Sequence, residues 1–423
     1  MSKLPINIAL SPNSSADEVK LGLKYLIFPW RWMWFKQGPS RMKLEKRFGE
    51  EFGFKFVYGV GSGREALYLI LKGLGLEKNS EIVLQGFTCM VVENSISWNG
   101  LKPVFVDMDG NNFNLDLEKL KKKVGPKTKV VIIQHTFGIP AEVEKIAAFC
   151  REKGILLIED CAHAMGAEVD GVQVGRFGDV AFYSLGRSKV ISCVNGGLIA
   201  LNDSQLNKKI LGEIEKIREK GWWSIGQDLH HPIIMEMAKK LSRWKTLSKI
   251  YLKLVRIFRM INLEVTPAEK KGLKPSSFPT RLANANAEMA EIQLEKLQAF
   301  NAKRKELAKK YWEALKDLKE LELLNPQKIP GAIWLRYPIK FKDSQLSEKI
   351  FKIAKRKEII LGDWYKTVVA PADIDMEKSN YKNGECPVAE KVCASILNLP
   401  THHSLKNSEA ELIIKLIKEN VGN

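Results

Sequence analysis

Several things are scarce in this chain of 423 residues. It has six cysteines (Cys89, Cys150, Cys161, Cys193, Cys386 and Cys393), none in a Cys-x-x-Cys pair and none beside a His-rich tract. That spacing excludes a disulfide framework, indicates no zinc site, and suits buried free thiols in a reducing compartment. No uninterrupted apolar run reaches membrane-spanning length, because Lys24, Arg31 and Lys36 break the most apolar stretch. Met1 to Ala16 is polar and lacks the apolar core of a signal peptide. The expectation is a cytoplasmic protein, at most peripheral to the inner face of a membrane. Acids are outnumbered: 49 Asp and Glu stand against 67 Lys and Arg, a net charge of +18. Such a surplus favours anionic partners and says nothing about fold. With 45% hydrophobic residues the chain buries a large core, which excludes disorder and a collagen-like structure. Its length suits two or three domains.

From Phe56 to Leu201 short β-branched runs alternate with helical stretches. Strands are expected at Phe56–Val60, Glu81–Leu84, Lys102–Val106, Lys129–Gln134, Gly154–Asp160, Val180–Ser184 and Gly197–Ala200. Helices are expected at Arg64–Gly73 and Val143–Lys153. Apolar strands separated by helices predict an α/β fold with a mostly parallel sheet covered on both faces. Ligands of such sheets sit beyond the carboxyl ends of the strands, so the residues there carry the functional reading. Leu206 to about Lys274 is helical in period and strongly basic. Ala283 to Leu318 reads as one long helix, weakest at Asn301. A smaller α+β segment follows, with a strand over Ile333–Phe341, a helix over Leu346–Lys357, and a last helix over Ser408–Glu419 opened by a capping-box pattern at Ser408. The division expected is a large domain over 1–205, a basic helical insertion over 206–276 and a small domain over 277–423.

The residues that carry chemistry follow in order. Gly61-Ser62-Gly63-Arg64-Glu65-Ala66-Leu67 joins a strand to a helix, where small residues let backbone N–H groups approach an anion. An ordinary strand–helix connection has the same look. Asp160 ends the most apolar strand, with His163 three residues on; a helix cap is an equal reading of that Asp. Ser184 and Lys189 follow, just before Asn195-Gly196-Gly197, where a lysine is also a plain solvated loop charge.

Taken together, Gly61–Leu67, Ile158–Ala167, Val174–Asp179, Ser184-x4-Lys189 and Leu399-Pro400-Thr401-His402 resemble the motifs of the DegT/DnrJ/EryC1/StrS family of sugar aminotransferases. The resemblance implies an aspartate-aminotransferase-like fold of type I and pyridoxal 5'-phosphate as cofactor. It implies Lys189 as the cofactor lysine and proton shuttle, Asp160 as the partner of the ring nitrogen, and His163 near the ring's 3-oxygen. Ser184 and the backbone at Gly63 and Arg64 are implied to hold the phosphate, with the Arg64 side chain adding a charge contact. A nucleotide-linked keto-sugar, an amino donor such as glutamate, and a homodimer are implied as substrate, co-substrate and assembly. The sequence departs from the pattern at Cys89, where relatives place a ring stacked on the cofactor, and at Pro279, where many have Asn. Rival classes are a sugar dehydratase on the same fold, which has His in place of Lys189, and a non-catalytic regulatory or membrane-associated relative.

Two stretches hold most of the surplus charge. Residues 237–263 contain Lys239, Lys240, Arg243, Lys245, Lys249, Lys253, Arg256 and Arg259, and residues 19–44 contain Lys20, Lys24, Arg31, Lys36, Arg41 and Lys43, neither with an acid. Apolar residues from Leu241 to Ile261 recur at three- and four-residue spacing, predicting one amphipathic helix. Packing on the protein's own body or on a second copy is the plainer expectation; contact with anionic lipid is the sharper one. No nucleic-acid module accompanies the charge, so nucleic acid is not expected as a partner.

Overall fold

The computed structural model describes residues 6–8, 13–242 and 244–421. Arg243 and most of the polar N-terminal stretch read above lie outside the described residues.

Two helices, α1 (Ala16–Ile27) and α2 (Pro39–Phe52), precede the sheet, joined by a 3-10 segment at Pro29–Trp34. Seven strands then build it: β1 (Phe56–Val60), β2 (Glu81–Gln85), β3 (Lys102–Val106), β4 (Thr128–Gln134), β5 (Leu156–Asp160), β6 (Val180–Ser184) and β7 (Gly197–Leu201), in the order β1-β7-β6-β5-β4-β2-β3. All neighbours are parallel except β7, which runs antiparallel to both β6 and β1. The expected mostly parallel sheet is present, and every strand falls within two residues of its expected bounds. Successive residues alternate between two cores. Ile132 and Ile158 join the core containing Leu67, Leu69 and Ile70 of α3 (Gly63–Leu74), while Val131, Ile133 and Leu157 join Ile146 and Cys150 of α4 (Val143–Lys153). Both faces are therefore covered, as uninterrupted apolar strands require.

The basic segment is not one helix. After α5 (Ser204–Ile214) come α6 (Trp222–Leu241) and α7 (Lys245–Ile257), with Trp244 in a non-helical conformation at their junction. The chain turns there because α7 packs back along α6: Val255 meets Ile234 and Met235, and Ser248 donates to the Ala238 carbonyl at 3.3 Å. On another part of α6, Gly22 of α1 comes so close to the Leu229 carbonyl that a Cβ there would lie 2.5 Å from its oxygen.

The expected helix over Ala283–Leu318 is likewise two, α8 (Asn284–Leu294) and α9 (Leu297–Leu315), broken at Glu295–Lys296 rather than at Asn301. Asn301 is tolerated inside α9 because its amide donates to the Met165 carbonyl and its oxygen accepts from Arg304. Helix α8 shares a core with Leu44 and Phe48 of α2, so the chain from 284 to 294 packs with the large domain. The C-terminal part of the chain has a three-stranded antiparallel sheet, β8 (Leu321–Leu323), β9 (Arg336–Phe341) and β10 (Ile396–Pro400), with α10 (Ser344–Arg356) and α11 (Asn407–Val421). The start of α11 differs from expectation: Glu409 reaches back to the Lys406 N–H at 2.8 Å, so the chain enters the helix before Ser408.

Candidate active site

The carboxyl ends of the central strands define the site. Asp160 ends β5 in register with Gln134 of β4 and Phe182 of β6, and Ser184 closes β6. Beyond them lies a cavity of about 460 Å³, lined among others by Gly63, Arg64, Cys89, Asp160, His163, Ser184 and Lys189. All seven sequence-derived residues are thus brought to one place.

One wall is the start of α3. Ser62 caps it, accepting the Glu65 N–H at 3.3 Å, and the first-turn N–H groups of such a helix have no partner within it. Glycine is required around this turn. A Cβ on Gly63 would lie 2.9 Å from Ser184 Cβ, and one on Gly197 would lie 2.4 Å from the Ser62 carbonyl carbon. The close fit sets the Ser184 hydroxyl beside the helix start, a donor set suited to a phosphate.

Asp160 is buried and accepts the Ala162 N–H at 2.9 Å. Burial pushes its pKa up to about 6, against the lowering effect of that N–H, of Lys189 and of His135. Burial also lowers the Lys189 pKa, which the Asp160 charge opposes. An amine held below its usual range is more often free of its proton, as a nucleophilic lysine must be. His163 Nδ1 accepts the Phe137 N–H at 3.4 Å, which leaves Nε2 as the protonated nitrogen of the neutral ring. Neutrality is favoured by burial first, then by the positive charges of Lys189 and Arg336.

Two expectations change. The Arg64 guanidinium is ion-paired with Glu269 and also donates to the Glu264 carbonyl, both on the basic insertion, so its charge is already balanced. Its contribution is to tether the insertion rather than to present a free cation. At Cys89 there is no ring, and Phe87 is wholly buried against Phe113 and Phe137, away from the lining. The aromatic lining comes instead from Phe182 and from Trp364 and Tyr365, between α10 and β10. Trp364 lies nearly parallel to His163, Lys189 Nζ is 5.0 Å from its ring centre, and the Arg336 guanidinium covers it at 3.3 Å. The segment bearing these rings continues into Val369–Ala370, which pairs in parallel with Thr88–Cys89.

The insertion contributes Leu263, Glu264 and Val265 to the lining, and Arg187 and Ser188 beside the lysine bond to Asn262 and Glu264. Asn195, also in the lining, donates at 2.7 Å to Asp228 of α6. Asp228 is wholly buried and accepts in addition from Asn262 at 2.8 Å, Asn286 at 3.0 Å and the Lys220 ammonium. Sequence reasoning missed Trp364, Tyr365, Glu264 and Asp228. The only local signal was the run Asp363-Trp364-Tyr365-Lys366, which mixes charge with two aromatic rings in a short loop.

The sheet order and the placement of a lysine, a buried carboxylate and a helix start at its carboxyl edge define an aminotransferase fold. A similar fold is found in NtdA from Bacillus subtilis, solved with bound cofactor PMP, at a TM-score of 0.77 and 19% identity, covering 100% of this chain and 86% of that one. The family model of the DegT/DnrJ/EryC1/StrS aminotransferase family matches residues 29–418, and the chain belongs to that family. Among curated relatives, dTDP-4-dehydro-2,3,6-trideoxy-D-glucose 4-aminotransferase of Saccharopolyspora spinosa is 28% identical over 388 residues, 90% of this chain and 89% of that protein. A pleiotropic regulatory protein of Geobacillus stearothermophilus is 25% identical over 388 residues, 91% of this chain and 90% of that one.

Proposed function

We propose that the protein is a pyridoxal-phosphate-dependent aminotransferase that places an amine on a nucleotide-linked keto-sugar. The observation that carries this reading is the convergence of the Lys189 amine and the buried Asp160 carboxylate on one cavity beneath the start of α3. The residues fit the cofactor: Lys189 to bond it, Asp160 to pair with its ring nitrogen, Ser184 with the Gly63 and Arg64 backbone to hold its phosphate, and His163 Nε2–H to donate toward its 3-oxygen. When bound, the cofactor supplies an electron sink that acidifies the carbon bearing the amine. Once an incoming amine had displaced it from the cofactor, the released Lys189 amine would carry the proton from one carbon to another, while Trp364 and Tyr365 exclude water. Burial that favours an uncharged Lys189, opposed by the Asp160 charge, supports this division of labour, and an intact pair favours catalysis over a regulatory role alone.

A sugar nucleotide is supported as acceptor by the relative that acts on a dTDP-linked sugar and by Lys366, which lines the same cavity. Glutamate is the donor expected from the family resemblance. The working unit is a homodimer, for which the exposed rings of Trp30, Trp32 and Trp34 offer an apolar contact whose nearby Arg31 is already neutralised by Glu288. The large domain and the small domain supply opposite walls of the site, and the insertion seals one side.

The test is incubation of the holoenzyme with glutamate and a panel of nucleotide keto-sugars, with mass spectrometry for exchange of a carbonyl oxygen for an amine. Transfer to a keto-sugar supports the reading. A cofactor spectrum that no amino acid perturbs overturns the aminotransferase assignment, whereas a response to glutamate without transfer to any sugar overturns the acceptor class alone.

A further inference from the structure

Helix α7 is amphipathic in an unusual sense, because most of its apolar side chains point outward. Val255 is buried, and Tyr251 and Leu252 are half-buried against α6. Leu247, Ile250, Leu254, Ile257 and Phe258, spaced as one helical stripe, are exposed, Ile257 and Phe258 by 60% and 66%. Trp244 before the helix and Met260 after it extend the exposed apolar surface. An apolar patch of this extent on a protein surface marks a contact with something else.

The charges beside the stripe indicate what that is. Lys249, Lys253, Arg256 and Arg259 are exposed, and among the described residues none makes an ion pair. From Lys245 to Leu263 there is no acid at all. A two-fold contact with a second copy would set this basic face against itself, with no carboxylate of its own to answer it. An anionic lipid surface answers it directly. Aliphatic and aromatic side chains enter the headgroup boundary, and the lysines and arginines along one edge of the stripe meet the phosphates.

We infer that α7, with Trp244 and the exposed residues Phe258 to Met260 that follow it, is a docking surface for anionic membranes and holds the enzyme at the bilayer face. The surface is separate from the cavity and independent of the reaction assigned above. The chain runs on from α7 to the site through Phe258 to Glu264, where Asn262 is bonded to Arg187 and to Asp228, so docking on α7 presents the enzyme to substrates at the membrane without occupying the pocket.

The experiment is co-sedimentation of the full-length protein with vesicles of phosphatidylcholine alone and of phosphatidylcholine with 30% phosphatidylglycerol, roughly the anionic content at which basic segments bind, at low and high salt. Expected are binding to the anionic vesicles only, release at high salt, and a fall in partitioning of at least about 100-fold when Lys249, Lys253, Arg256 and Arg259 are all changed to Gln. A second variant, Ile257→Ser with Phe258→Ser, weakens binding through the apolar edge while keeping the charge. Soluble turnover is unchanged in either variant. No binding to anionic vesicles at low salt, or equal binding to neutral ones, overturns the proposal. So does conversion of a dimer to a monomer by Ile257→Ser with Phe258→Ser in sedimentation velocity, which assigns the stripe to a second copy.

Discussion

The indole of Trp364 lies 5.2 Å from the imidazole of His163, centre to centre, with only 11° between the rings. One ring belongs to the loop after β5 and the other to the segment between α10 and β10, so the aromatic wall of the site is built from distant parts of the chain. Trp364→Leu removes that wall and is expected to weaken cofactor binding about fivefold, the ~1 kcal/mol scale of one aromatic contact. Titration of the variant with pyridoxal phosphate measures it, and an unchanged affinity places Trp364 away from the cofactor.

Lys189→Ala is expected to abolish turnover while leaving the fold and thermal transition near those of the parent, since only the side-chain amine is lost. Borohydride treatment of the holoenzyme followed by peptide mapping should place the reduced cofactor adduct on Lys189. A label on another lysine refutes the assignment.

Asp160 couples function to pH-dependent stability. Its pKa rises from 3.8 to about 6 on folding, so between those values the native chain holds a proton that the unfolded chain has released. The stabilising contribution is complete below pH 3.8 and is lost as pH rises through 6, about 3 kcal/mol in all. Asp160→Asn should therefore make the cofactor-free protein more stable at pH 7 and flatten this part of its profile, while lowering turnover by roughly 3–5 kcal/mol. Urea unfolding at pH 4 and pH 7, with turnover measured in parallel, checks both. An Asn variant of near-parental rate reduces Asp160 to a cap.

Glu269 is almost fully buried and balances Arg64, which is itself only 17% exposed. Glu269→Gln leaves that guanidinium without its carboxylate and is expected to cost about 3 kcal/mol of stability. Adding Arg64→Met should recover much of the loss, because the uncompensated charge goes with it. A double variant no more stable than Glu269→Gln alone argues that the pair is not what tethers the insertion.

The sheet and the lysine–carboxylate pair were legible because local sequence specifies them. Parallel strands buried on both faces read as apolar runs, and Gly63, Ser184 and Lys189 sit at fixed offsets from strand ends. What escaped depends on partners far along the chain. Trp364 reaches the site through the pairing of Val369–Ala370 with Thr88–Cys89, which no periodicity reveals. The role of Arg64 changed because Glu269, some two hundred positions later, folds against it. The apolar spacing across 237–263 was read correctly in period but not in continuity, since the turn at Trp244 is set by α7 packing on α6.

The buried carboxylate of Asp228 has one further consequence. Four donors converge on it, from the loop after Lys189, from the turn past α7, from α8 and from Lys220. Cutting the insertion out would take away the acid to which Asn195 donates and leave Asn286 with the Cys193 and Asn195 carbonyls alone. Deleting residues 206–276 is therefore expected to disturb the lysine loop as well as shorten the chain, since both share this one carboxylate.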